Sequence, residues 1–343
     1  MSADNPSAQP LSRQMSNIAM AVSFYWVISI SMVFANKTLL GSQDRSSAPF
    51  FVTWSQCAVT VLFCFVAGKL RLASVPPFEI RPDILKQMLS LSIIFTSMIV
   101  FNNLCLKYVE VSFYQVARSL TIVFNVIFDY VILGQTTSFK AMVCCAFVVS
   151  GFALGNVEEM RWSFVGVIFG VASSFFVAMN SIFVKKKFVL VDNNPWKITL
   201  YNNLNASFLF LPLILFSGEL NYLASSPDLR NPSYWGLLLL SGLLGVSISF
   251  ATAAQIKYTS PLSHNVSATA KAAAQTIIAL MVYRNPISAL GFLAVLLVLS
   301  ASLAYTLVRR SEMKKKAEQE NNAKLDSLKE PLNTSQDMRA EKA

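Results

Sequence analysis

The sequence has little charge and almost no histidine. Of 343 residues, 13% are Asp, Glu, Lys or Arg, and 1 is His. The 5 cysteines lie in apolar runs and lack the spacing of metal ligands. The chain also lacks an evident carboxylate pair, a nucleophile beside a base, and a Gly-rich phosphate loop. These absences argue against a soluble domain, a metal centre and an enzyme, so we expect neither catalytic residues nor a cofactor.

Long apolar runs fill the chain instead. Hydrophobic residues make up 54% of it, and the mean hydropathy is +0.52. A helix that crosses a bilayer needs about 20 mostly apolar residues. The sequence therefore predicts an all-α polytopic membrane protein with ten transmembrane helices, at 18–40, 49–68, 85–106, 111–133, 139–155, 162–184, 197–216, 234–256, 261–281 and 287–308.

Basic residues are distributed unevenly between the two sets of loops. The set that includes Lys69, Lys140 and the run Lys185–Lys187 is much richer in Lys and Arg than the set that includes Arg45 and Arg230. Basic loops are typical of the cytosolic side, so we predict that the 1–17 tail and the charged, disordered 309–343 tail are both cytosolic. This topology accounts for the net charge of +10 without a nucleic-acid partner.

The two halves of the chain resemble each other weakly. The segment "LKYVEVSFYQVARSLT" from Leu106 matches "IKYTSPLSHNVSATAK" from Ile256, and "WSQ" at Trp54 and "FAN" at Phe34 match "YNN" at Tyr201 and "AMN" at Ala178. These offsets predict two five-helix repeats, 18–155 and 156–308. Because five is odd, the second repeat is inverted, as in many secondary transporters with a binding site near the membrane midplane.

Each predicted repeat carries a polar stripe with one cation inside an apolar helix. The stripes are formed by Tyr114, Arg118, Thr121, Asn125 and Asp129, and by His264, Ser267, Lys271 and Gln275. A cation at this depth is costly and by default faces a cavity or a partner, and two such cations suit a phosphorylated metabolite. The alternatives remain that Arg118 pairs with an acid or helix-end carbonyls, that either cation merely specifies packing, and that His264 is an interfacial hydrogen-bonding residue.

Amides cluster on the predicted seventh helix, in "LYNNLNASF". Asn202 and Asn205 are spaced to share a face, and Asn203 lies between them. A side-chain amide offers an acceptor and two donors, which complement the hydrogen-bonding edge of guanine. The alternative is that these amides bond to neighbouring helices and hold the bundle together.

Longer motifs carry a family resemblance over about residues 25–313. They include "SISMVFANKTLL", "FVTWSQC", "FNNLCLKYVEVSFYQVARSLTIVFNV" and "QIKYTSPLSHNVSATAKAAAQT". With these, the chain resembles the nucleotide-sugar transporters of the drug/metabolite transporter superfamily. The resemblance implies a ten-helix homodimer in the lipid of the Golgi membrane that imports GDP-fucose into the lumen in exchange for GMP.

The resemblance also implies roles for particular residues. A family motif that contacts guanine falls on Leu200, Tyr201, Asn202 and Asn203, and one that contacts sugar and phosphate is represented by "ATAK", with Ala268, Thr269 and Lys271. The predicted substrate-binding residues are thus Tyr25, Asn36, Tyr114, Arg118, Tyr201, Asn202, Asn203, Asn205, His264, Ser267, Ala268, Thr269 and Lys271.

Two departures from the family pattern and three alternatives accompany this resemblance. Family members usually have Gly in place of Ala268, and acidic residues where this chain has "YRNP" around Arg284. The same scaffold suits another GDP-sugar, such as GDP-mannose. A plastid phosphate-sugar translocator is a further transporter alternative, although no transit peptide precedes the first helix. A membrane scaffold or receptor explains the apolar helices but not two cation-bearing stripes.

Overall fold

A computed structural model describes residues 11–40, 48–72, 75–77, 79–108, 111–156, 164–225, 227–283 and 289–340. The described residues contain helices and no β-strand. The helices are α1 (Leu11–Leu40), α2 (Pro49–Lys69), α3 (Pro82–Tyr108), α4 (Val111–Leu133), α5 (Phe139–Asn156), α6 (Phe164–Lys187), α7 (Pro195–Phe216), α8 (Glu219–Ser225), α9 (Pro232–Tyr258), α10 (Pro261–Tyr283) and α11 (Ala289–Ala340), with 3₁₀ turns at Phe188–Val191 and Pro227–Arg230.

Seven of these helices are long and apolar enough to cross a membrane. The apolar stretches are Ser12–Met32, Pro49–Lys69, Pro82–Cys105, Ile168–Val191, Pro195–Phe216, Pro232–Tyr258 and Ala289–Lys315, of which Ile168–Val191 includes the 3₁₀ turn after α6. The all-α membrane class predicted from the sequence is confirmed. The other three predicted runs correspond to α4, α5 and α10; α4 and α5 contain the shorter apolar stretches Leu120–Leu133 and Phe139–Gly151.

The largest difference from the prediction is at the C-terminus. We predicted a disordered tail at 309–343, but α11 continues without a break to Ala340. The tail is rich in Lys, Glu and Ala, which favour helix. Lys314 Nζ also lies 3.9 Å from Glu318 Oε1, in an i,i+4 ion pair. Extending an existing helix also avoids the cost of nucleation. At the other terminus, α1 begins at Leu11 rather than at the predicted residue 18.

Two asparagines set where α7 and α9 begin. The side chain of Asn194 accepts a hydrogen bond from the Trp196 amide at 2.9 Å, and that of Asn231 accepts one from the Ser233 amide at 3.0 Å. Proline occupies the first helical position after each cap, where its missing N–H costs nothing. The Asn194 cap thus fixes the start of α7, the helix that carries the amide cluster.

The ends of α3, α6, α7 and α9 meet at one end of the bundle. Lys185 Nζ donates to the Ile256 and Lys257 carbonyls at 3.2 and 3.1 Å, and Lys187 Nζ donates to the Gln87 carbonyl at 2.6 Å. The N-terminus of α3 therefore lies beside the C-terminus of α9. An apolar cluster fills this end, formed by Met88, Leu91, Val184, Phe188, Val191, Ile198, Tyr201, Ala253 and Ile256; we call it the apolar plug.

Helices α2 and α9 approach each other closely through glycine. A Cβ atom at Gly242 would lie 2.8 Å from Val59 Cβ, and one at Gly245 would lie 3.0 Å from Gln56 Cβ. Small residues let two helix backbones come together in this way. Gln56 Nε2 then donates to Ser241 Oγ on α9 at 2.6 Å, which holds the Gln56 side chain between the two helices.

A buried acid joins α8 to the start of α2. The Glu219 carboxylate accepts hydrogen bonds from the Phe50 and Phe51 amides at 3.0 and 2.8 Å. These are among the first amides of α2, which have no partner within the helix. Burial raises the pKa of Glu219, against the two hydrogen bonds that favour its charged form.

Candidate substrate-binding cavity

A cavity of about 470 Å³ lies inside the bundle, among α1, α2, α3, α6, α7, α9 and α10. Its volume falls within the range of small-ligand sites. Amides line it at Gln56, Asn102, Asn103, Asn180, Asn202, Asn203 and Asn265, and hydroxyls line it at Ser29, Thr53, Thr60, Ser181, Thr199, Ser249 and Thr252. Val184, Ile198 and Ala253 belong to both its lining and the apolar plug, so the plug closes one end of the cavity.

Lys271 is not itself among the lining residues of the cavity, but it places a positive charge directly beside two of them on α1. Its Nζ atom donates to Ser29 Oγ at 2.7 Å and lies 6.0 Å from the centroid of the Tyr25 ring. Ser29 and Tyr25 both line the cavity. The Tyr25 ring also packs edge-on against His264, another lining residue, with centroids 5.0 Å apart. An anion in the cavity next to Ser29 would therefore lie beside the ammonium group.

Asn202 and Asn203 line the cavity from α7, and each has one amide atom held by the protein. Asn202 Oδ1 accepts from Ser92 Oγ at 3.0 Å, and Asn203 Nδ2 donates to the Thr199 carbonyl at 2.8 Å. With these atoms fixed, Nδ2 of Asn202 and Oδ1 of Asn203 can serve a ligand. The pair thus offers one donor and one acceptor from adjacent residues.

Two further polar atoms at the cavity wall lack a partner within the described part of the chain. They are the buried Asn180 Oδ1 and Thr199 Oγ1. A buried polar atom normally has a hydrogen-bond partner, and one at a cavity wall can find it in a ligand or water. Their positions add α6 and the start of α7 to the polar surface of the cavity.

Sequence reasoning missed several of these lining amides, including Gln56, Asn102 and Asn180. The weak similarity between the two halves of the chain contained a signal that could have found two of these residues. Its matches align "WSQ" with "YNN" and "FAN" with "AMN", and so pair Gln56 with Asn203 and Asn36 with Asn180. Residues that are equivalent in two inverted repeats face the same central cavity from opposite sides.

Tyr201 and Asn205, which we predicted to bind substrate, are not among the lining residues of the cavity and bond instead to α3 and to the segment just before it. The Tyr201 hydroxyl donates to the Glu79 carbonyl at 2.9 Å, and its ring is 2% exposed. Asn205 Nδ2 donates to the Leu85 carbonyl at 3.0 Å. Residues at i and i+4 share a helix face, so these two lie together. Asn202 and Asn205 both bond to α3, at Ser92 and Leu85, but Asn202 lines the cavity with its neighbour Asn203 and Asn205 does not.

The predicted residues on α10 divide between two faces. His264 and Ala268 line the cavity. Ser267 accepts a hydrogen bond from Trp26 Nε1 at 3.0 Å, and Thr269 Oγ1 donates to the Asn265 carbonyl at 2.9 Å; neither is among the lining residues. The side chains of Asn36, Tyr114, Arg118, Gln275 and Arg284 lie outside the described part of the structure.

A buried polar network connects α4, α6 and α10 beside the cavity. Asn265 Nδ2 donates to Ser181 Oγ at 2.9 Å, and Ser181 Oγ lies 3.1 Å from Asn125 Oδ1. The three side chains are buried, as are Thr121 and Asp129. The described members of the stripe predicted on α4 are therefore buried, and Asn125 contacts α6 in the second half of the chain.

A sequence model of the Triose-phosphate Transporter family matches residues 16–306. The chain belongs to this family. The family consists of transporters, and the similar proteins are named as transporters rather than enzymes. The prediction that this protein is not an enzyme is therefore confirmed.

Several relatives resemble the chain over most of its length. The GDP-fucose transporter 1 of Nematostella vectensis is 49% identical over 307 residues, 87% of this chain and 91% of the relative. The Golgi GDP-fucose transporter of Drosophila melanogaster is 46% identical over 316 residues, 89% and 94% of the two chains. A GDP-mannose transporter of Arabidopsis thaliana is 23% identical over 317 residues, 90% and 93% of the two chains.

A solved crystal structure shares the fold. It aligns with a TM-score of 0.65 over 86% of this chain and 98% of the other, at 14% sequence identity. This likeness concerns the arrangement of helices and carries no information on the ligand.

Proposed function

We propose that this protein carries GDP-fucose across the Golgi membrane into the lumen in exchange for GMP. The observation that carries the proposal is the identity to GDP-fucose transporters over nearly the whole chain, 49% and 46% for two of them, against 23% for a GDP-mannose transporter. The amide-rich cavity supports it, because a nucleotide-sugar needs many neutral hydrogen-bonding groups and charge at its phosphates.

The geometry of the cavity suggests how a guanine nucleotide lies in it. Asn202 Nδ2 can donate to guanine O6 while Asn203 Oδ1 accepts from the neighbouring ring N–H. The diphosphate then lies at the α1–α10 wall, where Lys271 and the Ser29 hydroxyl are 2.7 Å apart. Ala268 lines the same wall, so its methyl group borders the space next to the diphosphate and helps to shape the sugar site.

The architecture in this proposal is a pair of inverted five-helix repeats. Equivalent helix pairs pack in equivalent ways: α1 packs along α9 as α6 packs along α3, and α4 contacts α5 as α10 contacts α11. The N-terminus of α3 meets the C-terminus of α9, as opposite orientations of the two repeats require. Alternating access then follows from rocking one half against the other around the cavity.

The apolar plug is the closed gate in this scheme. It fills the end of the cavity toward which the Lys-rich loops project, and Lys185 bonds α6 to the last carbonyls of α9 there. We assign this end to the cytosol, with both termini, because Lys and Arg are concentrated on that side. We further propose that the protein acts as a homodimer and that membrane lipid contacts its outer surface.

The inverted topology predicts that Lys107 and Lys257 lie on opposite sides of the membrane. Single cysteines at these positions should react with an impermeant maleimide from opposite sides of sealed Golgi vesicles. Asp192→Cys serves as a matched reference, because the C-termini of α6 and α9 lie together and it should label with the Lys257 position. Labelling of Lys107→Cys and Lys257→Cys from the same side would rule out the inverted repeat.

The substrate assignment is tested with the purified protein in proteoliposomes. Uptake of labelled GDP-fucose should exceed that of GDP-mannose and UDP-galactose, and protein-free vesicles set the background. Preferential uptake of GDP-mannose would agree with the assigned guanine site but would show that the transported hexose is mannose rather than fucose. Preferential uptake of a uridine sugar would refute the assignment of Asn202 and Asn203 to guanine.

A further inference from the structure

A second cavity of about 440 Å³ lies between α1, α10 and α11, on the other side of the α1–α10 wall. Much of its lining is apolar and comes from Ile18, Val22, Leu299 and Leu303. Leu303 is 62% exposed, so the cavity opens at the outer surface of the bundle. In a membrane this surface faces lipid.

The inner end of this cavity contains two buried polar atoms without a partner in the described part of the chain. Gln255 is fully buried; its Oε1 lies 2.9 Å from His264 Nδ1, while its Nε2 has no hydrogen-bond partner. Ser302 is buried, and its Oγ likewise lacks a partner. Both residues line the cavity. A buried donor without an acceptor is costly, so these atoms point to an acceptor oxygen supplied by a ligand.

The end of the cavity that lies farthest along α11, beyond Leu303, is positively charged. Arg309 and Arg310 line it, near the end of the apolar stretch Ala289–Lys315. Arg309 Nη1 lies 3.0 Å from Glu312 Oε2, and Glu312 also accepts a hydrogen bond from Ser138. A guanidinium has five N–H donors, so one bond to Glu312 leaves Arg309 able to bind an anion. Arg309 lies two turns, about 10 Å, from Ser302 along α11.

The geometry points to a binding site for an anionic phospholipid in this second cavity. The headgroup phosphate binds Arg309 and Arg310, an ester carbonyl accepts from Gln255 Nε2, and the acyl chains follow the apolar walls outward past Leu303. The order of charge, hydrogen-bond donors and apolar surface matches that order of groups in the lipid. The two arginines favour an anionic over a zwitterionic headgroup, and anionic lipids concentrate in the cytosolic leaflet.

This site would communicate with the central cavity through a single layer of side chains. Gln255 lines the second cavity and bonds to His264, which lines the first. His264 in turn packs against Tyr25, beside Lys271. A lipid bound to Gln255 therefore rests against the wall that holds the ammonium group. Its binding does not depend on which nucleotide-sugar the central cavity accepts.

The site predicts selective stabilisation by anionic lipid. We expect phosphatidylserine to raise the melting temperature of the delipidated full-length protein saturably, whereas phosphatidylcholine with the same chains does not. Native mass spectrometry should retain one phosphatidylserine. The double variant Arg309→Gln/Arg310→Gln should weaken this binding about thirtyfold, because each charge contributes about 1 kcal/mol, or about fivefold. Ser302→Leu should block the cavity.

Matched variants distinguish this site from general surface charge. Lys314→Gln/Lys315→Gln removes the same charge from exposed positions of α11, and Ser300→Leu adds the same side chain on its exposed face; both should bind as the wild type does. Equal stabilisation by the two lipids, or full phosphatidylserine binding by the double arginine variant, would overturn the proposal. So would an equal effect of inorganic phosphate, because the site would then bind a free anion rather than a lipid.

Discussion

Lys271→Ala is expected to abolish transport of both GDP-fucose and GMP while the protein remains folded. The Lys271 ammonium donates to Ser29 Oγ, a lining residue of the cavity, at 2.7 Å, so it can neutralise a phosphate bound beside Ser29. Loss of one partner from a buried, hydrogen-bonded charge pair costs about 2–5 kcal/mol. Both substrates carry phosphate, so their uptake should fall together, by about thirtyfold to several thousandfold.

The control for this variant is Lys186→Ala, which removes the same charge from an exposed position on α6. It should transport normally in the same proteoliposomes, and size-exclusion chromatography should show that both variants are folded. Near-normal uptake by folded Lys271→Ala would exclude this ammonium from the substrate site. A loss confined to GDP-fucose, with GMP uptake intact, would indicate that Lys271 contacts the sugar rather than the phosphate that both substrates share.

Asn202→Ala/Asn203→Ala is expected to weaken binding of GMP and every GDP-sugar by a similar factor. Each amide has one atom held by the protein, at Ser92 and at the Thr199 carbonyl, which orients the other toward the cavity. Each lost hydrogen bond to the base should cost about 1–3 kcal/mol. Competition by GMP, UMP, GDP-fucose and GDP-mannose measures the effect, and the ranking of the sugars should survive.

Asn205→Ala provides the matched control from the same helix. Its amide bonds to the Leu85 carbonyl and is not among the lining residues of the cavity. This variant should lower the melting temperature and leave the preference for GMP over UMP unchanged. If Asn205→Ala alters that preference, or if the double variant changes the sugar ranking but not the base ranking, the assignment of α7 to the base is wrong.

The general architecture could be predicted from the sequence because bilayer spans have a simple signature. The predicted run at 111–133 coincides with α4, and the run at 49–68 differs from α2 by one residue at its end. Hydrophobicity over about 20 residues determines such elements. The depth of Lys271 in its run likewise indicated a cavity, because an ammonium in that position needs polar surroundings.

The orientation of individual side chains was harder to predict. Within "YNN", adjacent residues are about 100° apart around the helix, so the motif could not direct all three side chains to one ligand. Packing against α3 decides that Tyr201 is in the core while Asn202 and Asn203 face the cavity. Gln255 is a similar case, since its unpartnered Nε2 is visible only when α9, α10 and α11 are assembled.

The central claim is that one cavity is loaded alternately with GDP-fucose and GMP, and counterflow tests it most directly. Proteoliposomes that contain the purified protein are loaded with GMP, with UMP or with buffer, and the initial rate of labelled GDP-fucose uptake is measured in each. We predict that internal GMP accelerates uptake severalfold over buffer and that internal UMP does not. Equal rates in the three preparations would contradict exchange through a shared, guanine-selective site.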